Sequence, residues 1–143
     1  MRTVLLVSGV NLDLLGTREP EVYGSATLDE HVATFTAALG DDFTVEHVQS
    51  NHEGELVDAI HGARARCAAI VVNAAAFTHY AWALHDALAA FDGPVVEVHL
   101  SNPFAREPWR HDSVVSPVAD GVICGFKGDG YRLAALAVQA LLA

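Results

Sequence analysis

Tyr23 lies five residues after Arg18 in SGVNLDLLGTREPEVYG (residues 8–24), a polar, glycine-punctuated run that follows the apolar stretch Thr3–Val7. A phenol, with an ordinary pKa near ~10, is a poor base at neutrality unless its anion is stabilised. A guanidinium within a few ångströms favours the charged form by about 1–3 pKa units, so Arg18 and Tyr23 suit a base and the cation that activates it. A second cluster is EVHLSN (97–102). Residues two apart on a strand share a face, so Glu97, His99 and Ser101 would project together if the strand persists. A carboxylate that orients an imidazole makes a general acid matched to neutral pH. Asn11 would hold a water or an oxyanion as charge develops, and Asn73, Ser101 and a nearby backbone N–H would grip a carboxylate. Together these groups describe proton abstraction beside a carbonyl followed by loss of a hydroxyl, an elimination.

Each residue also has a purely structural role open to it. Asn11 and Asn73 would close turns by bonding nearby backbone. His79 would be a first-turn helix residue, Glu97 and His99 a satisfied core pair, Arg106 and Arg110 a solvated face, and Tyr23 packing at a loop base. Their common placement has to decide, and that depends on the elements carrying them.

Short β-branched runs alternate with helical periods, which predicts βαβ units and a parallel sheet. Strands are expected at Thr3–Val7, Phe43–Val48, Ala69–Val72, Pro94–Val98 and Gly121–Cys124. Helices are expected from Thr27, with Glu30 completing a capping box, to Leu39; over Glu53–Arg66; from a cap at Thr78 to Phe91; and over Gly130–Leu142. Ser101–Ala119 reads as irregular. The expected fold is α/β, a flavodoxin-like three-layer α/β/α sandwich with strand order 2-1-3-4-5, in one catalytic domain over residues 1–143. Ligands in such sheets bind outside the carboxyl ends of the strands at the switch point, here beyond strands 1 and 3. That rule gathers Asn11, Arg18, Tyr23, Asn73, His79, Glu97, His99 and Ser101 into one place.

Composition narrows the partners. A net charge of −10, with eight Lys or Arg among 143 residues and no basic stripe, argues against nucleic acid. No apolar run approaches the ~18 residues of a membrane span, and no signal segment opens the chain, so a cytoplasmic location is expected. Cys67 and Cys124 sit in apolar runs without metal-ligand spacing and read as buried thiols of a reduced protein. Lys127 is the only lysine, so Schiff-base chemistry has one candidate, placed after strand 5 and away from the switch point. A receiver domain needs an aspartate where Asn73 stands. A flavodoxin-like binding module needs a hydroxyl- and glycine-rich phosphate loop where Asn11, Leu12, Asp13, Leu14 and Leu15 stand.

Four blocks in order, NLDLLGTREPEVYG, NAAAFTHYAWALHDAL, VEVHLSNPFAREPWR with HDSVVSP, and GDGYRLAAL, resemble type II 3-dehydroquinate dehydratases over essentially the whole chain. The resemblance implies anti elimination of water from 3-dehydroquinate through an enolate, giving 3-dehydroshikimate, with no metal or organic cofactor. It serves the shikimate pathway of aromatic amino acid biosynthesis or quinate breakdown. Tyr23 would be the base, Arg18 its activator, His99 with Glu97 the acid, and Asn11 the residue that positions the enolate-stabilising water. Asn73, Ser101 and the Leu100 backbone would hold the substrate carboxylate or its surroundings. His79 and Arg110 would bind ring hydroxyls, and Asp86 would reach in from a neighbouring subunit of a homododecamer built from four trimers. Arg106 matches a motif arginine whose role is structural or one step behind the residues that meet the substrate. Three positions depart from the family pattern: Val10 replaces the proline of N-G-P-N, His85 stands where an arginine is frequent, and Lys127 replaces a glycine. A divergent relative acting on a related cyclic hydroxy-acid, or a non-catalytic flavodoxin-like module, is the alternative function.

Overall fold

A computed structural model describes residues 1–143. Five parallel strands, β1 (Arg2–Ser8), β2 (Phe43–Gln49), β3 (Cys67–Asn73), β4 (Val95–His99) and β5 (Gly121–Cys124), lie in the order β2-β1-β3-β4-β5. Helices α1 (Pro20–Tyr23, a single turn), α2 (Leu28–Leu39), α3 (Glu53–Ala63), α4 (Trp82–Ala89) and α5 (Asp129–Leu142) connect or flank them. This is the expected flavodoxin-like order.

Strand alternation divides the interior into two cores. Val4, Leu6, Ala69, Val71, Val96 and Val98 face α2 and α5, where Phe35, Leu39, Tyr131 and Val138 close the layer. Leu5, Val7, Ile70, Val72 and Val95 face α3 and α4, against Leu56, Ile60, Leu84 and Leu88. The central strands are apolar on both faces because helices cover both, as all-parallel sheets require. Register then sets the site: Ser8 pairs with Asn73 and Val72 with Glu97, so the carboxyl ends of β1, β3 and β4 meet at one rim.

The expected capping box starts α2: the Glu30 N–H donates to Thr27 Oγ1 at 3.2 Å, and the Thr27 hydroxyl donates to Glu30 Oε1 at 3.3 Å. Three expectations need correction. Thr78 does not cap a helix. It lies buried in a 3-10 turn, Ala75–His79, and α4 begins at Trp82 behind Ala81. The Thr78 carbonyl accepts the Val114 N–H at 2.8 Å, and that tie holds the segment off the helical path. Second, α3 ends at Ala63, with Arg64 closing a turn. Third, Cys67 and Cys124 are unpaired but half-buried rather than buried, because both lie on outer positions of their strands.

Candidate active site

Beyond β1 the chain turns sharply. Gly9 donates its N–H to the Asn73 carbonyl at 2.8 Å, and a Cβ added at Gly9 would sit 2.2 Å from the Ala74 carbonyl oxygen. Only glycine lets the two loops approach this closely. Asn11 follows at φ 67°, left-handed backbone that asparagine tolerates better than most residues. Its N–H donates to Asn51 Oδ1 at 2.9 Å. These two cross-links fix the turn that a proline would otherwise stiffen, and Val10 packs against the α3/α4 core beside them.

The loop then forms a 3-10 turn, Leu12–Leu14, and the short α1, with Gly16 and Gly24 at φ 92° and 87°. Leu12, Leu15 and Tyr23 bury in the α2/α5 core. The Arg18 guanidinium lies over the Tyr23 ring, 4.9 Å from its centroid. The hydrogen bond to the phenol comes from elsewhere: Arg106 Nη2 donates to Tyr23 Oη at 3.0 Å, and its Nη1 donates to Ser101 Oγ at 3.1 Å. Such a charge-assisted bond strengthens as the oxygen gains negative charge. Arg106, read above as structural or one step behind the substrate, therefore touches the oxygen of the proposed base. No spacing rule pairs residues 83 apart; the only signal was a second arginine four residues before Arg110.

At the end of β4, Glu97 and His99 do point the same way. His99 Nε2 donates to Glu97 Oε2 at 2.5 Å, and the carboxylate is 1 % exposed. Burial alone would push the Glu97 carboxyl up. The hydrogen bond and charge of His99 and the hydroxyls of Ser116 and Ser113 outweigh it and hold the group below its ordinary 4.5. The serines donate to opposite oxygens, Ser116 to Oε1 and Ser113 to Oε2. Sequence reasoning missed both, since they lie in the segment read as irregular.

Asn73 fills both roles considered for it. Its Oδ1 accepts the Ala75 N–H at 3.2 Å, closing the strand-to-turn junction. Its Nδ2 donates to the hydroxyl of wholly buried Tyr131 at 3.1 Å; burial, partly opposed by that bond, pushes the Tyr131 phenol up to about 12. The second Nδ2 hydrogen is left for the pocket. His79 Nδ1 donates to the Asp112 carbonyl at 2.7 Å. Burial first, then the charges of His99 and Arg110, keep this imidazole below its ordinary pKa against the opposing pull of that bond and of Glu97. It stands neutral with an unprotonated Nε2, an acceptor for a hydroxyl. Arg110 pairs with Glu107 at 2.6 Å and lies 4.0 Å from the Trp109 ring centroid.

One pocket of about 570 Å³, counted with its open mouth, is lined by Asn11, Arg18, Tyr23, Asn73 and His79. His99, Leu100, Ser101, Arg106 and Arg110 line it too. Glu97 stands behind His99. Asp86 is not brought in: it is exposed on α4, outside its own chain's pocket. His85 beside it donates from Nδ1 to the Val114 carbonyl at 2.7 Å, tying α4 to the chain that carries Ser113. Lys127 lies at φ 49°, left-handed backbone that favours glycine. No group of three or more His, Cys, Asp or Glu side chains converges to hold a metal ion, and no helix is long and apolar enough to cross a membrane.

Residues 2–140 match the family model described as dehydroquinase class II. The chain is 59 % identical over 136 residues to "3-dehydroquinate dehydratase 2" of Pseudomonas aeruginosa, covering 93 % of this chain and 90 % of that protein. Its fold superposes on the crystal structure of type II dehydroquinase from Butyrivibrio crossotus with a TM-score of 0.92 at 38 % identity, over 96 % of this chain and 97 % of that one. For the type II dehydroquinase of Propionibacterium acnes the TM-score is 0.91 at 39 % identity, over 98 % and 97 %.

Proposed function

The chain belongs to the class II dehydroquinase family, and from that premise we propose that its pocket removes water from 3-dehydroquinate to give 3-dehydroshikimate, as a hydro-lyase of the shikimate pathway. The observation that carries this is one pocket holding a phenol bonded to a guanidinium beside an imidazole backed by a buried carboxylate.

Tyr23, as phenolate, takes the proton from the carbon beside the ketone. Arg106 stabilises its oxygen and Arg18 lies over its ring. The electron pair moves into the ketone to make an enolate, whose oxygen is met by a water held by Asn11. His99, as imidazolium, gives its proton to the hydroxyl leaving from the opposite face, and the enolate collapses to the enone. Tyr23 ends with one proton more and His99 with one fewer, so exchange with solvent restores both. Asn73, Ser101 and the Leu100 backbone hold the carboxylate region, while His79 and Arg110 meet ring hydroxyls. Side chains carry every step, so metal chelation leaves turnover unchanged.

A 3-dehydroquinate assay read as enone absorbance tests this directly. Wild type turns over, and Tyr23→Phe and His99→Ala each lower kcat by about 10²–10⁴-fold, the usual reach of general acid–base groups. An inactive wild type, or undiminished turnover by Tyr23→Phe, sinks the assignment.

The chain acts as a single catalytic domain in the cytoplasm and assembles as a homododecamer of four trimers. Exposed Asp86, next to Trp82 at 62 % exposure, supports a role for that carboxylate in a neighbour's site. Mixing subunits of inactive Tyr23→Phe with Asp86→Ala then restores part of the activity. Light scattering gives the assembly mass, and a monomer would refute both statements.

A further inference from the structure

Ser113 uses its hydroxyl fully. Its Oγ accepts the Val115 N–H at 3.1 Å and the Ser116 N–H at 3.0 Å, which occupies both lone pairs. Its one proton therefore goes to Glu97 Oε2, 3.1 Å away. The same turn presents Ser116 Oγ to Glu97 Oε1 at 2.5 Å. With His99 Nε2 on Oε2, a nearly inaccessible carboxylate faces three donors and no group positioned only to accept from it. Each of these bonds is stronger on an anion than on a neutral acid. The two hydroxyls thus bias the proton shared by Glu97 and His99 toward the nitrogen.

We propose that Ser113 and Ser116 are positioning residues for the reaction: they hold Glu97 as an acceptor-only carboxylate, which fixes the His99 proton on Nε2 and leaves Nδ1 as the nitrogen that exchanges protons with the substrate. This rests on His99 being the acid. Without the serines, the Glu97–His99 proton can move to the carboxyl and the neutral ring can carry its hydrogen on Nδ1, so that giving it to the leaving hydroxyl produces an anionic ring unless the carboxyl returns its proton to Nε2. The polar turn that looked irregular in sequence is then a clamp on the tautomer of a residue in β4, reached from 14 to 17 positions further along the chain.

The test is ¹⁵N NMR of the His99 ring in the substrate-free enzyme, paired with kinetics. In wild type, neutral His99 shows hydrogen on Nε2 alone. Ser113→Ala and Ser116→Ala each introduce the Nδ1–H form and lower kcat about tenfold, the loss of one hydrogen bond to a charged group, with KM changed less than about twofold. Ser113→Thr, which keeps the hydroxyl, restores both readouts. Ser116→Ala carries the test if Ser113→Ala disrupts the turn, since the Ser116 side chain bonds no backbone group. A double variant with unaltered tautomer and kcat overturns the proposal. Full activity of His99→Ala would instead remove the acid assignment while leaving the NMR result standing, so the two failures are distinguishable.

Discussion

Arg106 bridges Tyr23 Oη at 3.0 Å and Ser101 Oγ at 3.1 Å, so a single guanidinium ties the loop after β1 to the end of β4. Two acceptors held at once need the planar fork of arginine; an ammonium is a point charge on a flexible stem. Arg106→Lys therefore keeps the charge and loses the bridge. Steady-state assays are expected to show kcat lowered by about tenfold or more, in line with one charge-assisted hydrogen bond. Retention of wild-type kcat would show that charge alone suffices.

Gly9→Ala tests the packing beneath the site. The added Cβ would meet Ala74 backbone at 2.2 Å, and backbone cannot swing aside as a side-chain tip can. The loops after β1 and β3 must separate, moving Asn11 away from Asn73. The expected loss is about 2–3 kcal/mol of stability, comparable to overpacking elsewhere, with activity falling in parallel. Urea midpoints and turnover of the same preparation check it.

His31 makes stability depend on pH. It is 4 % exposed, stacks on Tyr131 with centroids 5.1 Å apart, and has no partner for Nε2. Burial lowers its pKa from 6.5, partly opposed by Glu30, and burial lowers that of His47 likewise, against Asp29. The unfolded chain thus binds protons more readily than the native one. The contribution is complete above 6.5 and is lost as pH falls through the lower native value. His31→Phe should lose less stability than wild type between about pH 7.5 and 5, measured by denaturant midpoints. Equal slopes would assign the acid sensitivity to other groups.

Lys127 carries a conformational cost at φ 49°. Left-handed backbone costs a non-glycine residue about 1–2 kcal/mol, while glycine in the unfolded chain gives part of that back as entropy. Lys127→Gly is expected to raise stability by about 0.5–1 kcal/mol. A fall in the guanidinium midpoint would mean that the lysine side chain, whose Cδ passes near Gly24, contributes more than its backbone costs.

Much of this protein is legible in its sequence because burial on two faces writes long apolar runs. TVLLV, AIVV and the alternation in EVHLSN place β1, β3 and the Glu97–His99 pair, and the switch-point rule then predicts where Asn11, Tyr23, Asn73 and His99 converge. What escaped has a common cause. The Ala75–His79 turn is held by a carbonyl that bonds Val114, 36 residues downstream, and periodicity carries no trace of such a tie. Arg106 reaches Tyr23, and the serines reach Glu97, by the same kind of long-range contact. Local chemistry picked out the proposed base and acid; the groups that contact them were set by tertiary folding.

The wide separation of Tyr23 from Arg106 has a consequence during synthesis. At about 5–20 residues per second, the ribosome adds Tyr23 roughly 4–17 s before the cation that bonds its oxygen. β4 and its carboxylate clamp also come from the later third of the chain. A nascent polypeptide therefore carries Arg18 beside its phenol but lacks the Arg106 hydrogen bond and the Glu97–His99 pair until most of the message has been read. On the proposed mechanism, proton abstraction waits until the product is nearly whole, and chains truncated before Arg106 are expected to be inert toward the substrate.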